Sequence, residues 1–127
     1  MAYMSLTFDD GFLNHYGIAR TLYKLDVSAS FYIPTGRTYF HNGPAGRLVD
    51  RPDLIREMVD MGHEIGSHTY THRDLTKLTS AEVERECAES KLALSGIIGS
   101  KSEVIGLAYP YGLFNEITIE EVRRYYS

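Results

Sequence analysis

His68 and His72 are separated by Thr69-Tyr70-Thr71. On a helical turn a spacing of four puts both imidazoles on one face, close enough to share an ion. Asp9-Asp10-Gly11 contributes two adjacent carboxylates. One aspartate oxygen with two imidazole nitrogens makes three protein ligands and leaves a position open for water, the pattern of a catalytic metal site. Neighbouring residues at a strand end point in different directions, so the two aspartates can divide the work. One can bind metal while the other faces substrate as a base. Two carboxylates side by side repel, and a cation between them and the histidines relieves that repulsion. Each motif has a plainer reading alone: a histidine pair on a polar loop, or Asp-Asp-Gly as turn chemistry.

These residues gain weight from the elements that carry them. Residues 3–8 read as a strand, and Ile18, Leu22 and Leu25 mark one face of a helix over 12–25. Residues 28–33 read as a second strand, ended by Pro34 and Gly36. A helix follows with Asp50 as cap, Pro52 in its first turn, Gly62 as its stop, and Leu54, Ile55, Met58 and Val59 on one face. Residues 63–67 read as a third strand. Thr79 and Glu82 form a capping box for a helix reaching about residue 95. Residues 104–109 read as a fourth strand, and Asn115 caps a last helix with Ile119, Val122 and Tyr126 inward. Strand-helix alternation, four times over, implies an α/β fold with a parallel sheet and crossover helices.

In parallel α/β architectures, sites form at the carboxyl ends of the strands. Asp9-Asp10-Gly11 follows the first strand, His68 to His72 the third, and Tyr109-Pro110-Tyr111-Gly112 the fourth. The three clusters are therefore expected on one rim. The loop after the second strand, with Arg37, Tyr39, Phe40, His41 and Asn42, belongs to the same end. His15 is expected near that rim. His63 reads as a structural hydrogen-bonding residue and Cys87 as core.

The chain has 127 residues, the size of one domain. A closed eight-unit barrel needs about 250 residues, so four units make an open sheet or part of a barrel with a bare edge. Apolar residues are 43% and charged residues 24%, which excludes a disordered chain. The formal charge is −4 with no basic block, a poor basis for nucleic-acid binding. No apolar run is long enough for a membrane span. A single cysteine excludes an intrachain disulfide and a cysteine zinc site. No leader is visible, so the sequence as it stands reads as cytoplasmic, or as secreted if a leader has been removed.

Thr7-Phe8-Asp9-Asp10-Gly11, His68-Thr-Tyr-Thr-His72 and Ala108-Tyr109-Pro110-Tyr111-Gly112 resemble the first three motifs of the NodB-type polysaccharide deacetylases, carbohydrate esterase family 4. Gly62 to His68 and the Ser30-Phe31-Tyr32-Ile33-Pro34 strand match as well, so the resemblance runs from about residue 5 to residue 112. It implies part of a distorted (β/α) barrel that removes acetyl groups from N-acetylated sugars in chitin, peptidoglycan or poly-N-acetylglucosamine. It implies one divalent metal, expected to be zinc, on Asp10, His68 and His72. It further implies Asp9 as general base, Tyr111 as oxyanion donor through its backbone N–H, and Pro110, Tyr111 and Tyr39 as substrate contacts.

Two departures stand out. The family's later motifs, including the histidine that protonates the leaving amine, have no match in residues 113–127. Ala108 stands where many members carry an arginine that tunes the catalytic aspartate, although the Ala form also occurs among poly-N-acetylglucosamine deacetylases. A non-catalytic metal- or glycan-binding relative, and a hydrolase of small cyclic amides, are the alternatives. A second copy of the chain, covering the open edge as a homodimer, is a further expectation.

Overall fold

The structure is a computed structural model that describes residues 1–38 and 46–126. Strands β1 (Thr7–Phe8), β2 (Ser30–Ile33) and β3 (Glu64–Ser67) pair in parallel in that spatial order. Phe8 stands opposite Phe31, Phe31 opposite Ile65, and Ile33 opposite Ser67. Helices α1 (His15–Lys24), α2 (Pro52–Asp60), α3 (Ser80–Ile98) and α4 (Glu116–Arg123) complete the order. A parallel sheet must be covered, and the inward strand residues Phe31, Ile33 and Ile65 are fully buried against Ala19, Ile55, Met58, Leu94 and Ile98 from the helices. A second cluster, Leu75, Val83, Cys87, Val122 and Tyr126, ties α4 to α3.

Local signals account for most of the boundaries. Pro52 occupies the first turn of α2. Thr79 and Glu82 form the capping box of α3, and Asn115 with Thr118 forms a second one at α4. Gly66 within β3 lets the Tyr32 ring lie on the strand; a Cβ there would sit 2.5 Å from that ring.

Some expectations need correction. Asp50 does not cap α2: Arg51 takes the cap position without a side-chain bond, and Asp50 is held by the Arg47 guanidinium at 2.8 and 2.9 Å. Leu25 is 67% exposed because α1 ends before it. Only Thr7 and Phe8 of the 3–8 run form a strand, extended by the Ser30 N–H donating to the Leu6 carbonyl, while Tyr3 and Met4 are exposed. The fourth strand is irregular. Residues 105–108 run parallel to β3, with Ile105 donating to Ile65 and Ala108 to Ser67, while Ser67 donates to Gly106. A regular ladder would draw its bonds to Ile65 and Ser67 from alternate residues. The donation from Ile105 slips the register by one, leaving a single Ser67–Leu107 bridge. No helix among the described residues is long and apolar enough to cross a membrane.

Candidate metal centre

The segment from His68 to His72 leaves the end of β3 as a loop, not as the helical turn its spacing suggests. Thr69 and His72 both have φ in the left-handed region, +68° and +61°. That backbone is costly for a β-branched residue and persists only where its surroundings enforce it. The enforcement is a set of hydrogen bonds. The His68 N–H donates to the Ile33 carbonyl, and the Thr35 and Gly36 N–H groups donate to the carbonyls of Thr69 and Tyr70. The Thr69 N–H donates to Ser67 Oγ and the His72 N–H to Thr69 Oγ1, each at 3.0 Å. The Tyr70 and Thr71 N–H groups and the Thr71 hydroxyl all donate to the Glu86 carboxylate on α3.

His68 is buried, and its Nδ1 donates to the Ala108 carbonyl at 2.9 Å. That bond fixes the tautomer and leaves Nε2 with its lone pair turned the other way. His68 Nε2 lies 3.3 Å from Asp10 Oδ1, and His72 Nε2 lies 3.1 Å from the same oxygen. Burial first, and the His68 imidazole second, lower the His72 pKa against the pull of Asp10. A neutral imidazole is the form that ligates metal.

Asp9 and Asp10 follow β1, and Asp10 (φ +77°) and Gly11 (φ +62°) form a left-handed pair that bends the chain over β2. A Cβ on Gly11 would meet the Pro34 ring at 3.0 Å. From the fourth segment, Pro110 is buried and Tyr111 is again left-handed, with φ +61° and ψ 6°. The Tyr111 ring meets the His72 ring edge-on at 5.0 Å. Asp9, Asp10, Phe12, His68, His72, Tyr109, Tyr111 and Gly112 line one open cleft of about 450 Å3.

The donor atoms of Asp10, His68 and His72 all lie within 4.8 Å of one another. A tetrahedral ion with bonds of 2.0–2.2 Å would hold its donors about 3.3–3.6 Å apart. The His68–Asp10 separation of 3.3 Å meets that spacing and the His72–Asp10 separation of 3.1 Å falls 0.2 Å short of it, so the donor set fits a small divalent cation.

A match to the polysaccharide deacetylase family covers residues 2–126. The chain belongs to that family. It is 37% identical over 111 residues to a chitooligosaccharide deacetylase of Sinorhizobium fredii, covering 87% of this chain and 47% of the relative. It is 33% identical over 122 residues to the peptidoglycan-N-acetylmuramic acid deacetylase PdaA of Bacillus subtilis, covering 94% of this chain and 42% of the relative. The structure of the Streptococcus pyogenes deacetylase PplD in complex with acetate superposes with a TM-score of 0.81 at 30% identity, over 94% of this chain and 51% of that one. The chain thus spans about half the length of the relatives it matches. These comparisons lend no support to a homodimer.

This member of the polysaccharide deacetylase family brings most of the residues singled out in its sequence together. Asp9, Asp10, His68, His72 and Tyr111 share the cleft, and Pro110 lies buried beside it. Tyr39, with Phe40, His41 and Asn42, lies outside the described residues. His63 is structural: its Nδ1 accepts from the Ala29 N–H at 3.1 Å and its Nε2 donates to the Ala19 carbonyl at 2.8 Å. His15 packs among the rings of Phe8, Phe12 and Phe31 next to the site. Burial lowers its pKa against the fields of Asp10 and Asp9. Sequence reasoning missed Glu86. The available signal was a carboxylate set between Val83, Cys87 and Ser90 on the inward face of α3.

Proposed function

We propose that this chain carries a metal-dependent N-deacetylase centre, which hydrolyses the acetamide of N-acetylated sugars in a chitin, peptidoglycan or poly-N-acetylglucosamine type of polymer. The convergence of His68 Nε2 and His72 Nε2 on Asp10 Oδ1, with Asp9 lining the same cleft, carries the reading. Relatives named for chitooligosaccharide, chitin and peptidoglycan support the substrate class.

Asp10, His68 and His72 would hold one cation, zinc on the basis of two imidazoles and a carboxylate. When bound, such a cation polarises an amide carbonyl and lowers the pKa of a water it holds to about 7. Asp9 serves as general base and takes the proton as water attacks the carbonyl carbon. The Tyr111 N–H, presented by its left-handed backbone, donates to the oxygen that gains negative charge. Removing one donor of this kind typically costs about 2.7–4 kcal/mol. The exposed Tyr111 ring, seated on the buried Pro110, borders the sugar. Asp9, now protonated, returns its proton to the departing nitrogen as the C–N bond breaks, leaving acetate and a free amine.

The test is free-amine release from an N-acetylglucosamine oligomer by the 127-residue chain with zinc. Chelator should abolish release. His68→Ala and His72→Ala should lose metal and activity together. Asp9→Asn should keep metal and lose roughly 10²-fold or more in rate; an unchanged rate would sink the base assignment. Ala108 favours a second reading, a metal-binding relative without turnover. Bound zinc with no amine release would select it.

A further inference from the structure

Glu86 sits in the middle of α3, and only 4% of it is exposed. A buried carboxylate is expensive unless its oxygens are fully hydrogen-bonded. Among the described residues, the hydrogen bonds of its carboxylate go to the stretch between the two histidines. Oε2 accepts the Tyr70 N–H at 2.9 Å and the Thr71 N–H at 2.8 Å, and Oε1 accepts the Thr71 hydroxyl. One helical turn further on, Ser90 Oγ accepts from Ser67 Oγ at 2.8 Å, and Ser67 Oγ in turn accepts the Thr69 N–H. The same face of α3 therefore grips the loop directly at residues 70 and 71 and, through Ser67, at residue 69.

This grip falls where the backbone needs it. Residues 69 and 72, on either side of the Glu86 contacts, are the two left-handed positions of the loop. If the loop relaxed toward ordinary φ values, His68 Nε2 and His72 Nε2 could not both remain on Asp10 Oδ1. Charge-assisted bonds from backbone N–H groups to a carboxylate are strong enough to oppose that relaxation.

We infer that Glu86 is the positioning residue of the metal centre. It acts through the backbone of Tyr70 and Thr71 to hold the two imidazoles at ligand spacing. It touches neither the cation nor the substrate. The inference rests on the metal centre proposed above and extends it to a residue outside the cleft.

The test is calorimetric titration of zinc into the metal-free protein, paired with the melting temperature of the same metal-free samples. Glu86→Ala removes all three acceptor contacts and should weaken zinc binding roughly 10–100-fold, the usual effect of losing a partner that orients ligands. Glu86→Gln should restore affinity to within a few-fold of wild type. Its amide oxygen can accept both N–H groups while its NH2 donates to Thr71 Oγ1. A purely structural role would lower the melting temperature and leave the affinity of the folded protein unchanged. That result, or a Gln variant as weak as the Ala variant, would overturn the inference. Should Glu86→Ala fail to fold, Thr71→Val decides. This variant drops one of the three bonds from a half-buried loop residue and should weaken zinc binding several-fold; unchanged affinity would count against the inference. Wild-type protein that binds no zinc would overturn the metal centre itself, an outcome distinct from wild-type binding that Glu86→Ala leaves intact.

Discussion

Burial, followed by the fields of Glu86 and Glu121, pushes the Cys87 thiol up to about 12. The thiolate is the reactive form, so Cys87 should resist a thiol reagent at pH 8 in the folded protein and react in denaturant. Prompt labelling of the native protein would mean that α3 opens readily around it. Individual residues differed in how far their type revealed their place in the cleft. Asp9, Asp10, His68 and His72 announce themselves because few other arrangements of carboxylate and imidazole follow strand ends so regularly. The backbone that aims them was not legible. A spacing of four suggested a helical turn, whereas the left-handed Thr69 and His72 reach the same convergence by loop contacts with Ser67, Thr35 and Glu86. Thr35 and Glu86 lie far from the loop in sequence, and no local propensity encodes their contacts.

Helix signals were legible where side chain and backbone close on themselves. The capping boxes at Thr79 and Asn115 need only residues three positions apart, and both form. Thr79→Ala should therefore cost about 1 kcal/mol and lower the melting temperature by a few degrees. Asn115→Ala should cost a similar amount at α4. A thermal melt unchanged by either substitution would show that the cap contributes nothing measurable. Asp50 misled because it is equally well placed to pair with Arg47, a choice that tertiary contacts decide. The fourth strand misled for a related reason. Its apolar run fits a strand, but its bonds to β3 slip by one residue at Ile105.

Across the whole molecule, the alternation of elements gave the parallel sheet and the common rim, while the extent of the sheet depended on pairing that no single segment specifies. Residues 105–108 pair with β3 on one side, and no described strand lies on the other. Exposed strand edges template association. Ile105, 38% exposed on that edge, is the place to test this. Ile105→Lys puts a charge on that edge, and any mass lost relative to the unsubstituted 127-residue chain, by light scattering at micromolar concentration, would be association through it. An equal mass for both proteins would show that this edge does not recruit other molecules.

Left-handed φ at Asp10, Thr69, His72 and Tyr111 sets stability against function. Among the described residues, five non-glycine positions have positive φ, and of these only Asp26 lies outside the cleft and its loops. Glycine adopts this backbone without steric penalty, whereas alanine does not. His72→Gly should accordingly melt above His72→Ala, although both lose the imidazole. A library sorted for thermal tolerance alone would thus drift toward glycine at these positions and discard the chemistry, so retaining it demands a screen that reads activity as well as folding.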